Sequence, residues 1–324
     1  MKRKGKLLNR VCFILAIVNM FLISLLMFRI VSFFIANGIS MLDKAINSRN
    51  YSINKNEAIE IYSNTDEKQV QSMNNENEKN HINQNPEIDM KNASKEEIQQ
   101  WKLNYILTHS ELYTSDLQEL VQKNSETIDY VYGYPNYVAN LNQERSFITN
   151  ENDIDLTKEV REDTIPLLLQ WDTRWGYISY GTGMIGYTGC APTCLSMVAL
   201  YLTKNPIYTP IYIAERAENQ GYYCDGVGTS WKFMDTGCKQ FGIKAKELPL
   251  HENSMKKALE AGKPIICAMR QGDFTTDGHY IVLTGYENGK FSVNDPNSKE
   301  RSSRLWSFEE LKGQIKNLWS YKCR

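Results

Sequence analysis

The sequence predicts an α+β protein, with helices early in its main body and an antiparallel sheet late, carried behind an apolar anchor. Three observations predict it. Apolar residues recur at helical 3–4 spacing in several segments between Ser94 and Leu259. Short, mostly apolar runs that read as buried strands then crowd into Ile265–Met269, Tyr280–Thr284 and Phe291–Val293, the last two joined by the Asn288-Gly289 hairpin signal. Ahead of both lie a basic tip, a long apolar run and a polar stretch. Helices first and hairpin-connected strands afterwards make an α+β arrangement.

Residues 1–36 read as a cytoplasmic basic tip and a transmembrane helix. Lys2, Arg3, Lys4, Lys6 and Arg10 precede an apolar run from Val11 to Phe28, broken only by Asn19 and Ser24. Those 18 residues rise about 27 Å as a helix, close to the ~30 Å hydrocarbon core of a bilayer. The basic cluster keeps the N-terminus in the cytoplasm and sends the remainder outside. The expected location is therefore the cell membrane, single-pass, with the main domain outside. A cleavable signal peptide is the competing reading, under which the protein is secreted; the length of the run and the absence of a small-x-small site favour the anchor. Residues 37–93 are rich in Asn, Glu, Gln and Lys and have too little apolar surface to offset ordering entropy, so they read as a flexible stalk, His81 included.

Residues 94–160 form a helical lead-in. Ser94-Lys95-Glu96-Glu97 is a capping box opening a helix with Ile98, Trp101 and Tyr105 on one side. A second helix is expected from Ser115, carrying Leu117, Leu120 and Val121 and ending before Gly133-Tyr134-Pro135. His109, between them, has nothing reactive beside it.

The main domain, residues 161–324, opens on a strand-like run, Ile165-Pro166-Leu167-Leu168-Leu169, that ends in Gln170. Glycines and turn residues lead to Gly189-Cys190-Ala191-Pro192-Thr193, after which Leu195, Val198, Ala199 and Leu202 mark an amphipathic helix. Pro192 is tolerated only in a first helical turn, which fixes where that helix begins. Lys204, Asn205 and Pro206 close it. A further helix is expected behind Ser230, with Trp231, Met234, Cys238 and Phe241 on one face. Met255 and Leu259 mark a short one stopped by Gly262 and Pro264, and Ser307-Phe308-Glu309-Glu310 caps the last.

Cys190 stands at a helix start, where free backbone N–H groups stabilise negative charge on sulfur, as a thiol nucleophile requires. A nucleophile needs a base. His279, in Asp277-Gly278-His279 at the head of a buried strand, is the candidate; His251, in a loop, is the weaker fallback. Asp295 ends the next strand of the same hairpin, so it can meet His279 and hold the imidazole in one tautomer, although Asn294-Asp295-Pro296 is also an ordinary turn. Gln170 supplies a side-chain amide that, with the Cys190 N–H, would serve as an oxyanion hole.

Taken together, Leu169-Gln170-Trp171-Asp172 with Trp175-Gly176, then Gly189-Cys190-Ala191-Pro192-Thr193, Gly278-His279-Tyr280-Ile281-Val282 and Val293-Asn294-Asp295-Pro296 resemble the papain-like cysteine peptidases. More closely, they look like the group related to the double-glycine leader peptidases (peptidase family C39-like), in a stand-alone, membrane-anchored branch. It runs from about Ile165 to the C-terminus; the stretch before it is similar, less specifically, to the lead-in of membrane-anchored relatives in Gram-positive bacteria. The resemblance implies a papain-like fold and a thiol peptidase with nucleophile Cys190, base His279, orienting Asp295 and oxyanion donor Gln170. Ala191 stands where the family commonly has glycine. With no transporter domain in these 324 residues, cleavage after a Gly-Gly leader is not carried over.

Several partner classes are excluded. Net charge is −1, with no basic patch interleaved with aromatics, so no nucleic acid is expected. Cys190-x3-Cys194 lacks a second pair or a nearby histidine, so no metal is expected, and no cofactor. Cys194 reads as a plain helix residue and Cys238 as core, whereas Cys224 and Cys323 look exposed and able to pair. The expected partners are a peptide or protein substrate and the membrane. Two other activities fit the same layout: a cell-wall amidase or transpeptidase, and a catalytically silent binding module. The NlpC-type wall hydrolases usually carry an acidic residue before the cysteine, where this chain has Gly189.

Overall fold

The computed structural model describes Asp89, residues 91–142 and residues 154–324. The expected anchor and nearly all of the expected stalk lie outside the described residues. Among the described residues, no helix is long and apolar enough to cross a membrane.

The lead-in starts with α1 (Lys95–Thr108), capped by the reciprocal Ser94–Glu97 bonds that the sequence announces. Next comes α2 (Ser115–Lys123), burying Leu117, Leu120 and Val121. The chain does not continue as one helix to Gly133. Asn124 leaves helical geometry and caps a 3-10 turn, Ser125–Thr127, before α3 (Ile128–Tyr132). Gly133-Tyr134-Pro135 is no terminator either: α4 (Tyr134–Asn142) starts there, because proline is harmless in a first turn. Ile106, Tyr113, Leu117, Val121, Ile128 and Val131 form a second core, which Tyr177 of the main body joins.

In the main body, residues 165–169 join no strand, a departure from the strand-like reading; the backbone beside them is held by single bonds such as Gln170 N–H to Pro296 O, 2.7 Å. A two-residue hairpin, β1 (Ser179–Tyr180) and β2 (Gly183–Met184), and one helical turn, α5 (Ile185–Thr188), lead into α6 (Cys190–Thr203). Helix α6 starts at Cys190, has Pro192 in its first turn and ends at Lys204 in left-handed geometry. The amphipathic reading of it is corrected: Ala191 to Leu200 are all buried. Helix α7 (Pro210–Asn219), with Thr209 as its cap and Pro210 at its start, covers one side, while the sheet covers another. A helix apolar all round is a core helix.

A second small hairpin, β3 (Tyr223–Cys224) and β4 (Gly228–Thr229), precedes α8 (Trp231–Asp235) and a 3-10 turn, Gly237–Phe241. Met234, Cys238 and Phe241 are buried as their spacing suggests, but Trp231 is 41% exposed, since the break at Thr236 takes it off that face. There follow β5 (Ile243–Glu247), α9 (Glu252–Glu260), β6 (Ile265–Met269), β7 (His279–Glu287), β8 (Lys290–Asn294), α10 (Lys299–Ser302), β9 (Leu305–Ser307), α11 (Phe308–Lys312) and β10 (Ile315–Cys323).

The larger strands make one antiparallel sheet in the order β5-β10-β6-β7-β8-β9. Its two faces are read off the period of two. Ile266, Ala268, Tyr280, Val282, Trp319 and Tyr321 meet α6 and its neighbours. Ile265, Cys267, Ile281, Leu283, Val293 and Leu318 meet Met255 of α9 and Leu311 of α11. Ile154 and Leu156 also pack into the α6 side. The β7–β8 turn is the expected one, with Asn288 at φ 52° and Gly289 at φ 76°.

Candidate active site

Helix α6 and strand β7 position the two central groups. Gly189 ends α5 with its N–H on Ile185 O, 2.9 Å, so the backbone turns at once into α6 and Cys190 becomes its first residue. The first N–H groups of a helix have no acceptor within it, so the Cys190 N–H faces outward from the helix end. Cys190 itself is half-buried. His279 opens β7, paired with Met269 across the ladder, and is 7% exposed.

The His279 ring is held on both sides. Its Nε2 lies 2.7 Å from Asp295 Oδ1. Cys190 lies within hydrogen-bonding reach of the same ring. Because Nε2 is committed to Asp295, Nδ1 is the nitrogen left for the sulfur. Burial works against charge on this imidazole, but Asp295 and then Cys190 outweigh it and push its pKa up to about 10. The arrangement therefore favours imidazolium beside sulfur.

Asp295 is fully buried, and each oxygen is spoken for. Besides His279, Oδ1 accepts from Asn297 N, 2.8 Å, and Oδ2 accepts from Arg301 Nε, 2.5 Å. Burial alone would raise its pKa; His279 and Arg301 hold it below the ordinary carboxylate range instead. The Asp295 N–H donates to Ser302 Oγ, 2.9 Å.

Gln170 is also buried beside this group. Its Nε2 donates to Gly186 O, 3.0 Å, and Tyr187 O, 3.3 Å, while its Oε1 is buried with no partner. Its backbone N–H reaches Pro296 O, next to Asp295. The amide therefore lies against the turn that leads to Cys190, with both hydrogens engaged.

The remaining candidates stand apart from this cluster. His251 is exposed at the start of α9, which packs on the sheet face opposite α6. His109 ends α1, stacked on Tyr105 with ring centroids 3.9 Å apart. His81 lies outside the described residues. Cys194 is buried one turn past Cys190 and donates to Tyr280 O, 3.3 Å; burial, then Cys190 and Asp295, raise its pKa well above the ordinary thiol value. Cys224 and Cys323 are exposed, and every cysteine among the described residues is unpaired.

Two groups were beyond sequence reasoning. Arg301, the second cation on Asp295, follows Ser298-Lys299-Glu300, a short capped turn whose helix-start pattern is readable but whose target is not. Glu126, in the lead-in, accepts from Ser298 Oγ and from Lys299 N, 2.8 Å, and no local signal links residues so far apart.

Residues 162–322 match the family described as Peptidase C39 like. Solved structures similar to this chain include the peptidase domain of Streptococcus ComA, a bi-functional ABC transporter involved in a quorum-sensing pathway. It is 18% identical over 42% of this chain and 93% of that one, with a TM-score of 0.33. A double-glycine-motif protease from an AMS/PCAT transporter, solved with its leader peptide, is 16% identical over 50% and 94%, with a TM-score of 0.35. A C39-like peptidase from Bacillus anthracis is 16% identical over 53% and 98%, with a TM-score of 0.30. No curated protein matches the chain.

Proposed function

Through residues 162–322 this chain belongs to the peptidase C39-like family, and from that premise we propose that it is a thiol peptidase acting through Cys190, His279, Asp295 and Gln170. The observation that carries the reading is the doubly held imidazole: a buried carboxylate fixes Nε2, and Nδ1 is left for a sulfur at a helix start.

In this mechanism the Cys190 sulfur attacks the carbonyl carbon of the scissile peptide bond while His279 holds the proton on Nδ1. Negative charge develops on the carbonyl oxygen. The Cys190 N–H binds it, together with the Gln170 amide once its longer bond, to Tyr187 O, gives way. His279 then passes its proton to the departing amine, the C–N bond breaks and a thioester remains. Water, deprotonated by the now neutral His279, attacks the thioester and releases the acid, and the proton returns the imidazolium beside the thiolate. Asp295 keeps its charge throughout and stabilises the imidazolium. Among substrate classes, peptides are the one proposed.

The proposal extends to a membrane-tethered, extracytoplasmic enzyme. Its support is the basic tip Lys2–Arg10 followed by the apolar run Val11–Phe28. Fractionation of cells, with protease added from outside, tests it: digestion of the main domain in intact cells is expected.

The chemistry is tested by labelling the purified protein with a thiol-reactive peptidyl electrophile. Label on Cys190, absent in Cys190→Ala and strongly slowed in His279→Ala, is the expected result. Label that persists elsewhere at the same rate in Cys190→Ala rejects the nucleophile. Turnover of cell-wall fragments but of no peptide would assign the site to a wall amidase instead.

A further inference from the structure

The loop that carries Asp295 is gripped from outside the family segment. Asn124 Nδ2 donates to Asn297 O, 2.5 Å, and to Asn297 Oδ1, 3.2 Å. The Glu126 carboxylate accepts from Ser298 Oγ, from Lys299 N at 2.8 Å and from Glu300 N at 3.3 Å. What is gripped matters for the site. Asn297 N binds Asp295 Oδ1, and α10, whose first N–H groups Glu126 receives, delivers Arg301 to Asp295 Oδ2. Asn297 O is shared with Trp171 Nε1, 3.1 Å, beside Gln170. Neither lead-in residue touches sulfur or imidazole, yet both fix atoms one bond removed from the carboxylate.

We propose that Asn124 and Glu126 are positioning residues of the peptidase site, so that the catalytic unit of this chain includes its helical lead-in. The physical reason is the demand on Asp295. A fully buried carboxylate between two cationic groups keeps its orientation only if the loop behind it is fixed. On one side that loop is bonded to the peptidase body by Gln170 N and Trp171 Nε1. On the other, the lead-in supplies the acceptors for α10. Neutralising the N-terminal N–H groups of that single turn with a carboxylate also follows the helix-end electrostatics. If the grip is loosened, Asp295 drifts from His279, and the imidazolium loses the partner that raises its pKa.

This inference rests on the Cys190–His279 reading, and the experiment keeps the two apart. The full chain is treated with iodoacetamide across the pH range that brackets the His279 titration, and alkylation of the Cys190 peptide is followed by mass spectrometry. The wild type is expected to show an upper inflection that is absent in His279→Ala. If the two profiles coincide, the Cys–His reading falls, and the inference with it. Given the inflection, Asn124→Ala and Glu126→Ala are expected to move it to lower pH. They should also slow turnover of a labelled peptide about 10- to 100-fold in kcat, with KM little changed, as for a sub-ångström misplacement. Glu126→Gln, which keeps an acceptor oxygen at the same place and preserves the shape, is expected to recover most of the rate. Ile106→Val, which loosens the lead-in core without touching the loop, is the control and should leave the inflection in place. Wild-type inflection and turnover in folded Glu126→Ala and Asn124→Ala would overturn the inference, as would an equal shift in Ile106→Val. Should either alanine variant fail to fold, Glu126→Asp, whose carboxylate falls one methylene short of α10, decides: an inflection below the wild-type position with slowed turnover supports positioning, and a wild-type profile with wild-type turnover but a lower Tm reduces Glu126 to a structural role.

Discussion

Asp295 meets three requirements at once: it is fully buried, it binds His279 through one oxygen and it binds Arg301 through the other. The pH dependence of stability follows from the two shifts. The raised His279 value means that its contribution is fully present below about pH 6.5, the ordinary histidine value, and is lost as pH rises through about 10. The lowered Asp295 value means that its contribution is present above about pH 3.9 and is lost as pH falls toward its folded value. Thermal melts against pH are therefore expected to show a Tm that declines across the alkaline window, and Asp295→Asn should flatten that decline. The same substitution leaves His279 and Arg301 without their counter-charge, and removing one partner of a buried pair costs about 3 kcal/mol. In turnover, Asp295→Asn is expected to lose about 10²- to 10⁴-fold, read as kcat on a labelled peptide, because the imidazolium is no longer held.

At the scale of the element, the entry to α6 is the feature most sensitive to substitution. A Cβ on Gly189 would stand 2.5 Å from Ile185 O and 2.8 Å from Ile185 Cα, both backbone-bound and unable to swing aside. Gly189→Ala is expected to displace the helix start, costing about 1–3 kcal/mol in chemical denaturation and slowing Cys190 labelling further than that loss explains. This element was legible in the sequence because its signals are local: a glycine, a proline confined to the first turn and an apolar run. So were the capping boxes at Ser94 and Ser307, and the Asn288-Gly289 turn. The strands β5 and β10 were not, for a physical reason. Lys244, Lys246, Lys316 and Lys322 interrupt their apolar pattern on exposed positions, and the register of β10 slips between Ile315 and Asn317. Helix α7 was missed although Thr209-Pro210 is a readable start. In the site, His279 and Asp295 could be paired in advance because one hairpin carries both. Arg301, Asn124 and Glu126 could not, since what joins them to Asp295 is tertiary packing alone.

For the molecule as a whole, the lead-in and the main body also meet at Tyr130. Its hydroxyl donates to Gly176 O, 2.7 Å, its carbonyl accepts from Tyr177 Oη, 2.6 Å, and the two rings stack with centroids 4.5 Å apart. Gly176 O also accepts from Gly186 N, 2.8 Å, and Gly186 O in turn holds Gln170. A lead-in residue is thus three hydrogen bonds from the Gln170 amide, and Asn124 is two from the Asp295 carboxylate. Coupling on both arms predicts one cooperative unfolding transition for the two parts. In Tyr130→Phe, Gly176 O keeps its bond from Gly186, so no acceptor is orphaned and the loss should be only about 0.5–1.5 kcal/mol. Gly186→Ala should cost more, about 1–3 kcal/mol, since its Cβ would meet Tyr130 Oη at 2.3 Å and Cζ at 2.6 Å. Removing the hydroxyl relieves the closer of those two contacts, so the double variant should be less unstable than the sum of the singles. Native-state hydrogen exchange checks both statements. Amides of α1 and α3 should lose protection in step with those of α6 in each variant, whereas separate losses would mean that the lead-in folds on its own.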